Sequence, residues 1–354
     1  MNESINILEF CKKPGQFETV NRVSSEWLWS DYSGSIKCRI SNSFRMKYKI
    51  EPGLYATGEP DGNSDVFVSA NYKLSFDILR KALSGLSAWI LVLDTKGINV
   101  WCAAGKGAFG AEELVKRISK VKLGNFLNHR RIIVPQLGAV GVNADAVFKQ
   151  TGFKVYFGPV YAKDIKDYLK AGKRKTPEMR KVNFSIIDRI VLTPMEIIPA
   201  FRKFLIFAVI VLLFFGLEPA GILFKNAWEG GMPFLSLGLA SIIAGAFITP
   251  VFLPFIPFRS FAVKGWITGI LLVMLVIFSF NLPEQKNILI FSAEILFFPM
   301  ASSYLALQFT GSTTYTNMSG VKKELKIALP VYLISSAISI ILLIIYKLHK
   351  LAVI

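Results

Sequence analysis

Three cysteines and two histidines in 354 residues leave little material for a metal cluster. Cys11, Cys38 and Cys102 have spacings that fit no zinc or iron–sulfur framework, and a small odd number of thiols points to a reducing compartment. Acidic residues are also scarce: 24 Asp and Glu stand against 41 Lys and Arg, a net charge of +17. The deficit is uneven. From Glu196 to the end there are 11 basic and 6 acidic residues, so the first 195 residues hold the other 30 and 18. The N-terminus has no basic stretch followed by a long apolar one, so no signal peptide is expected and the first half is expected in the cytoplasm. The positive charge comes without interleaved aromatics or a helix-turn-helix pattern, which argues against a nucleic-acid partner.

What is abundant is apolar surface, 53% of residues with a mean hydropathy of +0.46. Five runs, near 202–218, 232–253, 261–280, 288–308 and 327–346, approach the roughly 20 residues that cross hydrocarbon as a helix. With the first half inside, the loops carrying Arg259 and Lys264, and Lys322, Lys323 and Lys326, also fall inside, as the positive-inside rule asks. The near-neutral loops with Lys225 and Glu229, and with Glu284 and Lys286, fall outside. Lys347 and Lys350 at the tail dissent. The expected location is the inner (cytoplasmic) membrane, with multiple passes. Glu294 lies a third of the way into its span, where a carboxylate is a functional candidate by default. Loop water or a local pair is the alternative for it, and with no transport motif or internal repeat the spans are expected to anchor the chain and to contact a partner. The basic run Lys170, Lys173, Arg174, Lys175, Arg180 and Lys181, just before the first span, suits anionic membrane lipid.

The first half reads as α/β. Residues 1–50, with Trp27, Trp29, Tyr32, Ile36, Arg39, Met46 and Tyr48, suggest a few short strands or an irregular arm. Beyond it, Val66–Ser69, Ala88–Asp94, Ile98–Trp101, Arg131–Pro135 and Lys154–Phe157 read as strands. Ser75–Leu86, about 111–120 and Asp145–Thr151 have helical spacing. Strands alternating with helices predict a three-layer, Rossmann-like domain over 51–165. A basic linker at 166–200 and an all-α transmembrane domain of five helices at 201–354 follow.

Residues 94–110 hold the candidate chemistry. Gly105-x-Gly107-x-x-Gly110 has the form of a dinucleotide fingerprint, but the helix start is misplaced and no acidic residue follows about 20 positions on. A P-loop fails as well, since Gly107 follows Lys106 and Val100 stands where its first glycine belongs. Free cysteine is usually buried and inert. Around Cys102, however, Ala103, Ala104, Gly105 and Gly107 remove side-chain bulk, so something large and flat could approach the sulfur. A short helix beginning near Trp101, with Lys106 close by, would favour negative charge there.

Asn99-Val-Trp-Cys-Ala-Ala-Gly-Lys106, with Gly107-x-Phe-Gly110 behind it, resembles the signature of the mercury-methylating corrinoid proteins, relatives of the corrinoid iron–sulfur protein large subunit. Pro52–Pro60, Ser69–Asp77, Val134–Ala139, Phe157–Pro159 and the five spans extend the resemblance over about 50–346. It implies a cap helix over a corrinoid, with Cys102 as lower axial cobalt ligand and Asn99, Val100, Trp101, Ala103, Ala104, Gly105 and Lys106 shaping the cap. The implied reaction passes a methyl group from methyl-Co(III) to Hg(II). Soft thiolate suits that centre, and the histidine of Asp-x-His-x-x-Gly is missing, with only His129 and His349 present. Ser69, Asn71, Ser75, Gln136, Gly138 and Gly158 are further candidates for holding the corrinoid. Cys11 and Cys38 are expected bystanders, and no iron–sulfur cluster is expected in this chain. The resemblance therefore also implies a small ferredoxin-like partner with two [4Fe–4S] clusters and a methyl donor protein or methyl-folate. A corrinoid methyl carrier for one-carbon or acetyl-CoA metabolism is the alternative. From another class comes a membrane transporter or receptor with a nucleotide-binding domain.

Overall fold

The computed structural model describes residues 5–13, 16–219, 221–280, 287–313, 315–316 and 318–351. The side chain of Cys11 lies outside what is described. The chain divides into two compact units, Met1–Asn183 and Phe184–Ile354. In order, the first holds β1 (Ile5–Lys13), β2 (Gln16–Val23), α1 (Trp29–Ile40), α2 (Asn42–Lys47), β3 (Leu54–Thr57), β4 (Val66–Ala70) and α3 (Lys73–Ala82). It continues with β5 (Ala88–Leu93), α4 (Val100–Gly105), α5 (Ala111–Lys120), β6 (Arg131–Val134), α6 (Ala144–Thr151), β7 (Lys154–Phe157) and α7 (Ile165–Lys170).

Strand alternation builds the layers. Val66, Val68, Trp89, Leu91, Leu93, Ile132 and Val134 face one side of the sheet, where Leu114 and Ile118 of α5 and Val147 of α6 cover them. Phe67, Ile90, Val92 and Ile133 face the other side, against Phe76 and Leu79 from α3, Leu83 just past its end, and Ile165 and Tyr168 from α7. A sheet apolar on both faces is what a parallel, doubly covered core requires. The sheet order is β1-β2-β3-β5-β4-β6-β7. Its β5-β4-β6-β7 part is parallel, and β3 joins β5 antiparallel. The chain runs from β4 through α3 on one face to β5, then through α4 and α5 on the other face to β6, on the far side of β4. The gap between β4 and β6 is therefore the topological switch point, where doubly wound sheets bind ligands at their strand C-termini.

Two expectations for the first half change. Ile98–Trp101 is not a strand; it is a turn leading into α4, because Asn99 caps that helix. The unit also runs past 165, since α7 buries Ile165 and Tyr168. Two members of the basic run fold back on it: Lys173 pairs with Asp65, and Lys175 donates to Gln136 Oε1.

The arm before β3 is mostly helical beyond residue 28, and charge holds it in place. Lys73 Nζ reaches Asp31 at 2.8 Å and Asp77 at 2.7 Å; Arg80 reaches the same two carboxylates at 2.6 and 2.9 Å. Arg80 is only 1% exposed and also donates to the carbonyls of Ser24 and Glu26, at 2.6 and 2.8 Å. Burial alone would raise the Asp31 carboxyl, but hydrogen bonds from Lys73 and Arg80 outweigh it and hold it below the usual range. Burial would likewise lower the Lys73 ammonium, yet the charge of Asp77 and hydrogen bonds to both carboxylates raise it. Cys38 is buried nearby against Tyr72 and Leu74.

The second unit has five helices long and apolar enough to cross a membrane: Ile186–Gly216, Phe224–Val251, Phe261–Ser279, Ile288–Gly311 and Ser319–Lys350. The third and fourth pack through small residues. A Cβ on Gly269 would stand 2.6 Å from Ser302 Cβ, and Ser302 Oγ donates to the Gly265 carbonyl at 2.8 Å. Such contacts let apolar helices approach closely without a hydrophobic driving force. The ends are tied crosswise. Glu324 Oε2, near the start of the fifth helix, accepts from Ser260 Oγ and Ala262 N at the start of the third. At the other face, Lys347 and Lys350 each lie 3.6 Å from Glu218, beyond the end of the first helix. The dissenting positive tail is thus paired with an acidic partner. Glu294 is fully buried within this bundle.

Asp31→Ala leaves Arg80 buried with half its counter-charge and should destabilise the first unit by about 3–5 kcal/mol, read from denaturant melts of the full chain in detergent. The pH dependence has two limbs. Because the Asp31 pKa is depressed, its contribution is present above about 3.9 and is lost as pH falls through the lower folded value. Because the Lys73 pKa is raised, its contribution is present below about 10.4 and is lost as pH rises through the higher folded value. Asp31→Asn should flatten the acid limb.

Candidate functional site

The turn preceding α4 is held from both sides. Asn71, just past β4, accepts through Oδ1 from Thr95 N (3.1 Å), Thr95 Oγ1 (2.9 Å) and Gly97 N (2.9 Å), and donates from Nδ2 to Asp94 Oδ1 (3.3 Å). Lys96 and Gly97 take positive φ, 56° and 78°, which fits a turn that needs glycine at its second position. Asp94 N donates to Glu113 Oε1 at 2.9 Å, and the same oxygen accepts from Arg117 at 2.6 Å. Asn99 then caps α4: its Oδ1 accepts from Cys102 N at 2.9 Å.

Below α4 sits Phe109, with no exposed surface. Its amide donates to the Ala103 carbonyl at 3.1 Å, turning the chain back under the helix. A Cβ on Gly138 would lie 2.5 Å from the Phe109 ring, and one on Gly141 would lie 2.2 Å from the Phe109 carbonyl oxygen. Both positions must therefore be glycine for this ring to seat. Ala103 and Ala104 are buried against the same core, while Trp101 (39% exposed), Cys102, Gly105 and Lys106 face outward. A Cβ on Gly105 would meet nothing within 4 Å. The result is a short helix pinned by its alanines, with a sulfur, an indole and a bare glycine on its open side.

Beside it, at the switch point, lies a cleft of about 330 Å³ walled by Ser69, Ile78, Trp101, Pro135, Gly158 and Tyr161, among others. Asn99 and Val100 also line it. Cys102 is half-buried on the same helix, next to that wall. Of the residues singled out from sequence, Ser69, Ser75, Asn99, Val100, Trp101 and Gly158 line the cleft. Asn71 is engaged in the turn, Gly138 makes room for Phe109, and Gln136 accepts from Lys175. Lys106 is the exposed C-cap of α4, at the opposite end from the cap. His129 is held at the entry to β6, where its Nδ1 accepts from Arg131 N and its Nε2 lies 3.1 Å from the Ser64 carbonyl. That is the N-terminal edge of the sheet, opposite the cleft.

Sequence reading missed the far walls of the cleft. Ile78 stands apart from the apolar stripe of α3 and is exposed; its misplaced hydrophobicity was the available signal. Tyr161 and its neighbours follow β7 and meet Ser69 only through strand order. A flat macrocycle fits what is present: one open, low face on α4, a soft sulfur donor, and an adjoining cleft lined largely by apolar groups.

Residues 39–169 match the family described as CO dehydrogenase/acetyl-CoA synthase delta subunit, a range that contains α4 and every wall of the cleft. The acetyl-CoA decarbonylase/synthase complex subunit gamma of Archaeoglobus fulgidus is 30% identical over 138 residues, 38% of this chain and 29% of that protein. The corresponding subunit of Methanopyrus kandleri is 30% identical over 128 residues, 36% of this chain and 27% of its own length. The corrinoid/iron-sulfur protein large subunit of Moorella thermoacetica is 31% identical over 129 residues, 36% of this chain and 28% of its length. The chain thus spans less than a third of each of these relatives. Their names speak of acetyl-CoA synthesis and a corrinoid; mercury is in none of the three.

Phe109→Ala should cost about 3–5 kcal/mol as a large-to-small core change and release α4. Gly138→Val, which drives a side chain into the same ring, should do likewise. Amide exchange over 99–106 should quicken in both variants, while α3 stays protected.

Proposed function

We propose that the first unit holds a corrinoid against the open face of α4, that Cys102 would supply a sulfur ligand to its cobalt, and that mercuric ion is the methyl acceptor. The observation that carries the reading is the exposure pattern of α4. Ala103 and Ala104 point inward and fix the helix, while Cys102 faces out on a surface stripped of bulk, inside the region matched by a corrinoid-linked family. When bound, the corrinoid supplies a metal centre that takes up a methyl group from one substrate and yields it to another.

The chain's own residues do the rest. Asn99 fixes the first turn, so the Cys102 backbone cannot drift. Trp101 adds an exposed indole beside the sulfur, and the apolar cleft excludes water from that flank. Ser69 places a hydroxyl on the cleft wall for a polar substituent. Thiolate is a soft donor, matched to a polarisable metal; mercuric ion is itself soft, and its assignment as acceptor comes from the octapeptide resemblance. Electrons are assigned to a small ferredoxin-like protein with two [4Fe–4S] clusters, and the methyl group to a methyl donor protein or methyl-folate. The five apolar helices are assigned to anchoring in the cytoplasmic membrane, with the first unit in the cytoplasm.

A second reading has its own support. The relatives of about 30% identity are named as acetyl-CoA complex subunits or a corrinoid/iron-sulfur protein, which favours a methyl carrier in one-carbon metabolism. Purified full chain in nanodiscs, loaded with corrinoid and supplied with methyl donor, reductant and mercuric ion, separates the two. Methylmercury that requires the ferredoxin and falls to background in Cys102→Ala supports mercury methylation. Methyl loss only to an acetyl-CoA synthase, with mercuric ion inert, supports the carrier. Retained methylmercury formation in Cys102→Ala would remove the sulfur from the account.

A further inference from the structure

Helix α1 is built inside out. Its buried side is polar: Asp31, Gly34, Ser35 and Cys38 face the domain, and Asp31 is held by Lys73 and Arg80. Its outward side is apolar. Trp29 (84% exposed), Tyr32, Ile36 (60% exposed) and Ile40 recur every three or four residues, which sets them in one stripe along the helix. The helix cannot roll to hide this stripe, because turning Asp31 outward would leave Arg80 buried with half its counter-charge.

By the same helical spacing, Lys37 and Arg39 stand on either side of the stripe. Over residues 27–49 there are five basic residues, Lys37, Arg39, Arg45, Lys47 and Lys49, and one acid, Asp31. The acid is already paired inside, so what this segment offers outward is apolar and positive. Lys81 lies over the rings of Trp27 and Tyr32, 4.5 and 5.0 Å from their centroids, and donates to Tyr32 Oη at 3.2 Å. Tyr32 is thereby fixed in its outward pose.

We propose that this face of α1 docks on the surface of an anionic lipid bilayer, with Trp29, Tyr32, Ile36 and Ile40 at the boundary of headgroups and acyl chains and Lys37 and Arg39 among the phosphates. An aromatic and aliphatic stripe with basic flanks is the composition of interfacial helices. Tryptophan and tyrosine prefer that depth, where one end of the ring is wet and the other apolar. The chain's five long apolar helices bring a bilayer within reach. The stripe carries two hydrogen-bonding groups, the Tyr32 hydroxyl, engaged with Lys81, and the indole N–H of Trp29, both of a kind that sits at the wet edge of a bilayer. Docking would also orient the cleft, since α1 is ion-paired to α3 and α3 supplies Ser75, Ile78 and Leu79 to the cleft wall.

The test uses full chain in nanodiscs of phosphatidylcholine alone or mixed with phosphatidylglycerol, with brominated acyl chains. The Trp29 contribution is taken as the emission of the wild type minus that of Trp29→Phe. The expected result is a blue-shifted, bromine-quenched Trp29 component in anionic discs. The quenching should be weaker in zwitterionic discs and in about 1 M salt, where the screening length is about 3 Å. Ile36→Asp and Lys37→Glu should lose that quenching while the melting of the first unit is unchanged. Amide exchange over 29–40, slowed in anionic discs for wild type and not for Ile36→Asp, gives the answer without the tryptophan substitution. A Trp29 component identical in both discs and in detergent, or shielded only when a soluble ferredoxin is added, overturns the proposal.

Discussion

The seating of Phe109 beneath α4 is the contact on which the candidate site rests. Six helical residues cannot hold a helix by backbone bonds alone; α4 exists because its inner face is nailed to a core. The ring fills the space that Gly138 leaves open, the backbone of Phe109 and Ala104 packs against Gly141, and the Phe109 amide closes on the Ala103 carbonyl. Ala103 and Ala104 then fit close to the core, and Cys102, one position earlier, is left facing out. Larger side chains at 103 or 104 would lift the helix; a side chain at 138 would evict the ring. The small residues around the cysteine therefore have two uses: those below it let the helix sit low, and Gly105 keeps its outer surface bare.

The same economy governs the rest of the first unit. Strand order puts a cleft between the ends of β4 and β6, and the connections leaving β4 and the neighbouring β5 supply two of its walls. One is α3, which supplies Ile78 and Leu79; the other is the turn into α4, which supplies Asn99, Val100 and Trp101. The Asn71 carboxamide joins these two connections at the strand ends by hydrogen-bonding the Thr95–Gly97 turn. It acts on the site by positioning and does not itself line the cleft.

Much of this was legible in the residues. Short, nearly continuous apolar runs gave β4 to β7 almost to the residue, because both faces of a parallel sheet are apolar and strands there are short. Helical spacing gave α5 and α6. The failures have physical causes. Ile98-Asn-Val-Trp has the β-branched and aromatic make-up of a strand, yet the Asn99 cap and the buried Phe109 override that propensity and start the helix at Val100. Helix α1 was unreadable for a different reason: its polar side is the inner one, stabilised by ion pairs from α3, so a search for an inward apolar stripe finds the wrong face. Tyr161 was out of reach because the cleft it walls depends on strand order, a long-range property that local pattern does not carry, whereas Ile78 left one local trace, an apolar side chain off the inner stripe of α3. The methyl acceptor lies on another level again, since nothing in α4 distinguishes mercuric ion from other electrophiles.

The central claim is that the Cys102 sulfur bonds directly to cobalt, and X-ray absorption at the cobalt edge of the corrinoid-loaded full chain tests it most directly. The account predicts a sulfur scatterer in the first coordination shell of the wild type, replaced by oxygen or nitrogen in Cys102→Ala while the corrinoid stays bound. A wild-type spectrum without sulfur, or one that Cys102→Ala leaves unchanged, contradicts it.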